Sequence, residues 1–348
     1  VGKLLTTPFT PVAETPQILH HRLLWLMSCW GYTLDADMLK QLFGILVSYL
    51  DPSRFDLMVR IQAVRSLGIL MQCDDFTPDM ILDVLEPLLT HTCLLVTSEV
   101  SDATVQVFVL GFFQEIVDTV GTACKPHLGT LLQHVMPLWG SDDSDSGFDP
   151  SDDNCGNKSS SPVCMIRTSL LELFTSFVNI DKGESGNALY AYIEGPLSYA
   201  TSATDESAYL CQHGLTLWSA LIQNCTSLSP HMVEMFNTNL PRIFNADLVG
   251  ADYTELRTTL ALIESYLIIG GLEFVSMFGT TISALLHLTV GKVRPRAAPH
   301  AVRPVETLLL MACSSDDSEG VMNYLLSSDI MSILIRPCLA ALSTLSCN

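Results

Sequence analysis

Apolar side chains recur every three to four positions along most of the chain, and the two-residue alternation of a half-buried strand is scarce. This spacing is typical of amphipathic helices. It predicts helices at about residues 17–31, 35–50, 56–72, 77–95, 99–121, 125–138, 163–180, 186–199, 205–224, 229–245, 250–270, 271–290, 297–313, 317–327 and 330–345. Dipeptides such as Asp51-Pro52 and Gly270-Gly271 are typical helix ends. About fifteen consecutive helices joined by short links predict stacked antiparallel pairs.

One helix pair identifies the type of repeat. Residues 35–72 contain a helix, a Pro-containing turn and a second helix with the pattern D-x-x-V-R-x-x-A-x-x-x-L-G of HEAT repeats. Asp56 can cap the second helix, Arg60 one turn later can bond to a neighbouring repeat, and small Gly68 permits close helix approach. The predicted apolar stripe consists of Val59, Ala63, Leu67 and Leu70. At about 40 residues per repeat the chain holds about eight, which predicts an all-α HEAT-repeat α-solenoid of stacked antiparallel pairs in a right-handed superhelix.

The predicted solenoid has one interruption, at residues 140–162. This segment contains six Asp and one Lys, many Ser and almost nothing apolar, which predicts a disordered acidic loop. The domain organisation is therefore a first block of HEAT repeats at 1–139, the loop, and a second block of the same solenoid at 163–348. The acidic side chains that can bind a partner there are Asp142, Asp143, Asp145, Asp149, Asp152 and Asp153.

Charge narrows the choice of partner. The net charge of the 348-residue chain is −20, from 37 Asp and Glu against 17 Lys and Arg. A surface this acidic repels phosphate backbones and anionic lipids, so we expect no nucleic-acid partner, and basic protein segments are its natural counterparts.

The longest apolar stretch, 260–279, is interrupted by Glu264, Gly270-Gly271 and Glu273, which argues against membrane insertion. The 11 cysteines include no Cys-x-x-Cys motif and indicate a reducing compartment.

The stretch ILHHRLLWLMSCW, residues 18–30, permits two interpretations, a metal or thiol site and a packed helix. His20 and His21 are sequence neighbours and point about 100° apart on a helix, so they cannot chelate one ion without outside ligands. The packed helix is the better interpretation, with Trp25 and Trp30 as structural residues on a broad buried face. No Gly-rich phosphate loop, nucleophile elbow or His-Glu-x-x-His motif is present in the sequence, so we predict a protein without enzymatic activity, metal or cofactor.

A basic segment stands out in this acidic chain. GKVRPRAAPHAVRP, residues 291–304, carries Lys292, Arg294, Arg296 and Arg303. No aromatic residue is interleaved, which is unlike a nucleic-acid patch. Two interpretations stay open: a solvated loop between helices, or a docking loop for an acidic partner or for the acidic loop of the same chain.

An ordered set of segments resembles the importin-beta superfamily, the karyopherins. ILHHRLLWLMSCW is similar to the basic-basic-x-x-W-L-x-x-x-W helix in the middle of those receptors. Three further segments resemble the importin-11 branch in the same order: DLMVRIQAVRSL, HLGTLLQHVMPLW and YLCQHGLTLWSALIQNCTSLSPHMVEMF. The acidic loop at 140–162 and Ser28-Cys29 between the tryptophans depart from that branch. The chain resembles its central to C-terminal part.

The resemblance implies a nuclear transport receptor that shuttles between nucleus and cytoplasm through the nuclear pore. It implies three partners: protein cargo, Phe-Gly nucleoporins, and Ran-GTP, the last bound mainly by N-terminal repeats that this stretch would lack. Importers of this type release cargo when Ran-GTP binds, because the two ligands compete. Two alternatives stay open, a HEAT-repeat scaffold of a constitutive complex and an export receptor.

Overall fold

The computed structural model describes residues 16–140, 162–181, 186–202, 204, 207–244, 253–290, 298–314, 320, 323–324 and 327. Its helices, numbered here in chain order, are α1 Gln17–Cys29, α2 Ala36–Ser48, α3 Leu57–Met71, α4 Asp79–Leu82, α5 Leu85–Leu94, α6 Ala103–Val120, α7 Leu128–Val135, α8 Pro162–Ile180, α9 Gly186–Ala200, α10 Cys211–Asn224, α11 Pro230–Thr238, α12 Leu240–Ile243, α13 Tyr253–Val290 and α14 Ala298–Ser314. The described ranges contain no strand. Residue contacts divide the chain into two compact units, Val1–Ile180 and Asp181–Asn348.

The helix starts follow local sequence. Four helices begin after a residue whose side chain accepts a hydrogen bond from a backbone N–H of the first turn, at 2.9 to 3.3 Å. These caps are Asp35, Asp56, Asp102 and Ser229. A cap replaces hydrogen bonds that the first turn of a helix cannot make internally, so it fixes where each helix starts.

The first unit consists of two rows of helices. One row runs α1, α3, α6 and α8, each packed on the next, and the other contains α2, α5 and α7. α2 pairs with α3 and α5 pairs with α6. The apolar stripe Val59, Ala63, Leu67 and Leu70 is fully buried in this packing, as the HEAT pattern predicts. Repeating pairs of this kind share one continuous core along the stack.

The second unit is held by a chain of helix contacts. α9 packs on α10, α10 on α13, and α13 on α14. α13 is not straight: Gly271 has φ 58° and ψ −153°, so the backbone leaves the helix at the Gly270-Gly271 position that the sequence marks as a stop. Only glycine adopts this conformation without steric cost. The two arms of α13 are therefore separate helices joined at a glycine.

Two predicted helices are more broken than the periodicity suggests. The segment predicted as 77–95 divides into α4 and α5, followed by a π-helical turn at Leu95–Glu99. The segment predicted as 229–245 divides into α11 and α12 at Asn239-Leu240-Pro241. Proline after a helical turn removes a backbone donor and favours such breaks. The predicted helix at 330–345 lies outside the described residues.

Among the described residues, three helical stretches are long and apolar enough to cross a membrane by length and composition: Ala103–Leu138, Pro162–Ile180 and Leu256–His287. α6 packs against α8, and α13 packs against α10 and α14. Burial between helices therefore accounts for part of this apolar content. The absence of membrane insertion stays a prediction.

Eight cysteines are described, and none of them forms a disulfide. Cys29 and Cys313 are exposed, Cys211 and Cys225 are half-buried, and Cys73, Cys93, Cys124 and Cys164 are buried. Burial raises the pKa of Cys93 and of Cys124 to about 11. The buried thiols therefore behave as small apolar groups.

Candidate functional site

The two loops predicted to bind partners are largely outside the described residues. Asp142, Asp143, Asp145, Asp149, Asp152 and Asp153 lie outside them, as do Lys292, Arg294 and Arg296. Arg303 is described, and it lies within α14 rather than in a loop. Its side chain is exposed, with Nε 3.9 Å from Glu264 Oε2 on α13. Both loops stay predictions.

The structure corrects the assignment of Trp25 and Trp30 to a buried face. Trp25 is 52% exposed and Trp30 is 38% exposed. The buried face of α1 instead carries His20, Leu24, Met27 and Ser28. α1 packs on α3, and with Leu24 facing α3 its sequence neighbour Trp25 must point about 100° away. Polar His20 occupies a core position because its Nδ1 lies 3.3 Å from the Tyr49 hydroxyl.

Asp56 and Arg60 have the positions that the HEAT pattern suggests. Asp56 Oδ1 accepts a hydrogen bond from Val59 N at 2.9 Å and caps α3. Arg60 is only 4% exposed and pairs through Nη2 with Glu99, in the turn before α6. This ion pair joins neighbouring helix pairs. Glu99 was not identified from sequence, since it belongs to no recognisable motif.

A groove lies between α3 and α6, which are neighbours in the same row of the first unit. Its volume is about 370 Å³. Its walls are Val64, Arg65, Gly68, Ile69, Gln72, Val107, Phe108, Gly111, Phe112 and Glu115. A Cβ on Gly68 would lie 3.6 Å from Phe112 Cδ2 and 3.9 Å from Glu115 Oε2, so both side chains reach across to the Gly68 backbone. No heavy atom lies within 4 Å of a Cβ placed on Gly111.

The groove contains one half-buried carboxylate. Glu115 has no hydrogen-bond or ion-pair partner within the described ranges, and burial raises its pKa. Arg65 also lines the groove but is exposed and does not pair with Glu115. Partial burial of a carboxylate without a counter-ion costs free energy, and a cation bound beside it would reduce that cost.

A second polar cluster, Tyr190, His231 and Glu194, joins α9 and α11 in the second unit. His231 Nε2 lies 2.6 Å from Glu194 Oε1, and the other ring nitrogen contacts the Tyr190 hydroxyl. Burial raises the pKa of Tyr190, with Glu194 and Glu234 adding to the shift. The hydroxyl therefore stays protonated at neutral pH, and the cluster serves as a link between two helices. Among the described residues no three His, Cys, Asp or Glu side chains are arranged to hold a metal ion.

The helix arrangement matches a known class of protein. The structure of Lph2, a bidirectional nuclear transport receptor in S. cerevisiae, superposes on 96% of this chain and 32% of its own, with a TM-score of 0.68 and 18% sequence identity. The fold is therefore the all-α solenoid of helical repeats found in nuclear transport receptors.

The sequence comparisons identify the branch. Residues 168–345 match the family described as importin-11-like, TPR repeats, and the chain belongs to this family within the importin-beta superfamily. Mouse importin-11 is 22% identical over 293 residues, which cover 84% of this chain and 27% of the mouse protein. Human importin-11 is 23% identical over 262 residues, covering 75% of this chain and 24% of the human protein. The chain thus spans about a quarter of the length of these relatives.

The family description names TPR repeats for the second half, whereas the sequence pattern of residues 35–72, which form α2 and α3, is of the HEAT type. Both repeats are antiparallel helix pairs that stack through their apolar faces, so the architecture is the same.

Proposed function

We propose that this chain is part of a nuclear transport receptor that binds protein cargo and delivers it to the nucleus under the control of Ran-GTP. The observation that carries the proposal is membership of the importin-11-like family over residues 168–345. The fold likeness to a transport receptor extends over 96% of the chain and supports it.

Physical chemistry favours a basic protein as cargo. The chain has a net charge of −20, and stacked helix pairs offer long surfaces on which an extended segment can bind. Charge complementarity speeds the encounter and selects partners. Such a receptor works by coupled binding equilibria, in which Ran-GTP lowers affinity for cargo and cargo lowers affinity for Ran-GTP by the same factor. No chemical step is needed, so we propose a binding protein and not an enzyme.

The remaining assignments are part of the same proposal. Ran-GTP would bind mainly through repeats outside this chain, and Phe-Gly nucleoporins would carry the protein through the pore between cytoplasm and nucleus. Two repeat blocks, 1–139 and 163–348, would be separated by the acidic loop at 140–162. That loop would attract basic cargo, and Lys292, Arg294, Arg296 and Arg303 would attract an acidic partner.

Export is a second candidate, and a specific observation favours it: Lph2, which shares the fold, is a bidirectional receptor. An exporter binds cargo more tightly when Ran-GTP is bound, so the sign of the coupling separates the two directions.

The test is affinity capture of the whole gene product, tagged at its own locus, with and without excess Ran locked in its GTP form. Bound proteins are identified by mass spectrometry. Partners that are lost with Ran-GTP support import, and partners that are gained support export. A list that is indifferent to Ran-GTP contradicts the proposal and favours a constitutive scaffold.

A further inference from the structure

We propose that the groove between α3 and α6 accepts one lysine or arginine side chain of a bound protein segment, with Glu115 as its counter-ion. This deepens the proposed function, because it rests on the chain binding protein and assigns part of that binding to one place.

The size of the groove fits a side chain. Its volume of about 370 Å³ is at the small end of the range typical of ligand pockets. The opening exists because two positions lack side chains. At Gly68 the floor of the groove is backbone, because glycine has no side chain. At Gly111 an added Cβ would touch nothing within 4 Å. Glycine weakens a helix relative to alanine, so a glycine on each of the two helices that line the groove carries a cost in stability.

The walls suit the stem of a long side chain. Ile69 and Val107 supply partly exposed apolar surface backed by buried Val64 and Phe112, and Phe108 lies at the groove with 42% of its surface exposed. Lysine and arginine bury their methylene stems against apolar surface while keeping the charged end near a polar group. An aromatic face beside the charge adds cation–π attraction.

The charge of the occupant follows from Glu115. This carboxylate is half-buried, has no partner in the described part of the chain, and reaches the Gly68 backbone at the floor of the groove. Burial raises its pKa, because desolvation penalises the ionised form, and a cation bound beside the carboxylate would offset part of that penalty. Arg65 on the same groove opposes a second positive charge, so the site prefers an isolated basic residue to a densely basic run.

The test measures binding of four peptides, acetyl-Gly-Gly-X-Gly-Gly-amide, in which X is lysine, arginine, norleucine or glutamate. Methyl signals of Ile69 and Val107 in the full chain report on the groove, and those of Ile222, which is buried in α10 of the second unit, serve as a reference. We expect the lysine and arginine peptides to shift the groove signals, with norleucine weaker by about tenfold because it lacks the charge.

Three variants sharpen the result. Glu115→Gln is expected to weaken binding of the lysine peptide by about tenfold while leaving the protein folded, since it removes a half-buried carboxylate that has no partner among the described residues. Gly111→Leu fills the groove and is expected to abolish the shifts. Its matched control is Gly129→Leu in α7, where a new Cβ also meets nothing within 4 Å. Arg65→Gln should tighten cation binding.

Three outcomes overturn the proposal. Equal binding of the norleucine and lysine peptides would make the groove merely apolar. Preference for the glutamate peptide, lost in Arg65→Gln, would make it a site for acidic residues. The absence of shifts with any peptide would remove the site. The assay involves neither Ran nor cargo from cells, so its failure is distinguishable from failure of the transport function.

Discussion

One contact between neighbouring helices in the first unit is a buried ion pair, and one in the second unit is a buried neutral network. In the first, Arg60 on α3 pairs with Glu99 before α6, yet its Nε and Nη1 are buried without a hydrogen-bond partner. In the second, Trp218 Nε1 donates to the Tyr266 hydroxyl at 2.8 Å, and that hydroxyl donates to Met232 O at 2.7 Å. Every polar atom of this network has a partner.

The difference shows two ways of fixing one repeat to the next. A buried ion pair must recover the desolvation of two charges, and it does so poorly when donors stay unpaired. The neutral network costs less to bury, and its rings also pack: Tyr266 stacks on Phe274 with centroids 5.5 Å apart, and Phe236 lies 4.8 Å from Tyr266. We expect the second arrangement to contribute more to stability, and the first to set which helices meet.

The largest effect is expected for Trp218→Ala. Trp218 is 1% exposed, so its removal leaves a cavity and should lower the free energy of unfolding of the second unit by about 3–5 kcal/mol. Trp25→Ala is the matched control, with an expected cost below about 1 kcal/mol because half of that side chain is already exposed. Hydrogen exchange resolved by unit checks both, and equal costs would contradict the assigned burial.

Arg60→Ala is expected to lower the stability of the first unit by about 3 kcal/mol, because Glu99 is left partly buried without its counter-ion. The double replacement Arg60→Met with Glu99→Leu should recover most of this loss, since well-packed apolar residues often match a buried ion pair. Denaturant unfolding monitored by exchange in α3 measures both variants. A double variant as unstable as Arg60→Ala would mean that the charged pair itself stabilises the fold.

Tyr266→Phe tests the neutral network by removing one hydroxyl and leaving the rings in place. The Trp218 N–H and the Met232 carbonyl then lose a partner in a buried site, at an expected cost of about 2 kcal/mol. Protection of amides in α10 and α11 should fall together. Unchanged protection would show that ring packing alone holds these helices.

The smallest effect is expected for the pH dependence of the stability of the first unit, to which His20 contributes. Burial lowers the pKa of His20 from its ordinary value of 6.5, with Asp56 opposing the shift. The unfolded chain then binds a proton more readily than the folded one, so the stability of the first unit should fall as pH drops below about 6.5. His20→Phe should flatten this slope in unfolding experiments between pH 7 and pH 5. An unchanged slope would assign the pH dependence to other groups.

The sequence predicts those parts of the fold that depend on residues within a single helix. The D-x-x-V-R-x-x-A-x-x-x-L-G pattern places the Asp56 cap and the buried stripe of α3 because both depend on residues within one helix. Glycine at 270 and 271 marks the break in α13 for a similar reason. These signals need no knowledge of neighbouring helices.

The sequence is less informative about features that depend on a neighbouring helix, such as which face of a helix is buried. An apolar run such as that of α1 does not reveal which face is covered, and the choice of Leu24 over Trp25 depends on where α3 lies. Glu115 and Gly111 look like an ordinary polar residue and a weak helix position until α3 and α6 are placed side by side. Gly68 and Gly111, one on each of two neighbouring helices, are the signal that could have indicated the groove.

The distribution of cysteines gives each unit its own chemical handle. Cys29 and Cys313 are exposed, one in each unit, whereas Cys93 and Cys124 are buried thiols with pKa about 11 and form little thiolate at neutral pH. The other accessible or undescribed cysteines to replace with serine are Cys155, Cys211, Cys225, Cys338 and Cys347. A fluorescent donor and acceptor attached to the remaining pair would then report, molecule by molecule, the distance between the two units before and after a protein segment binds.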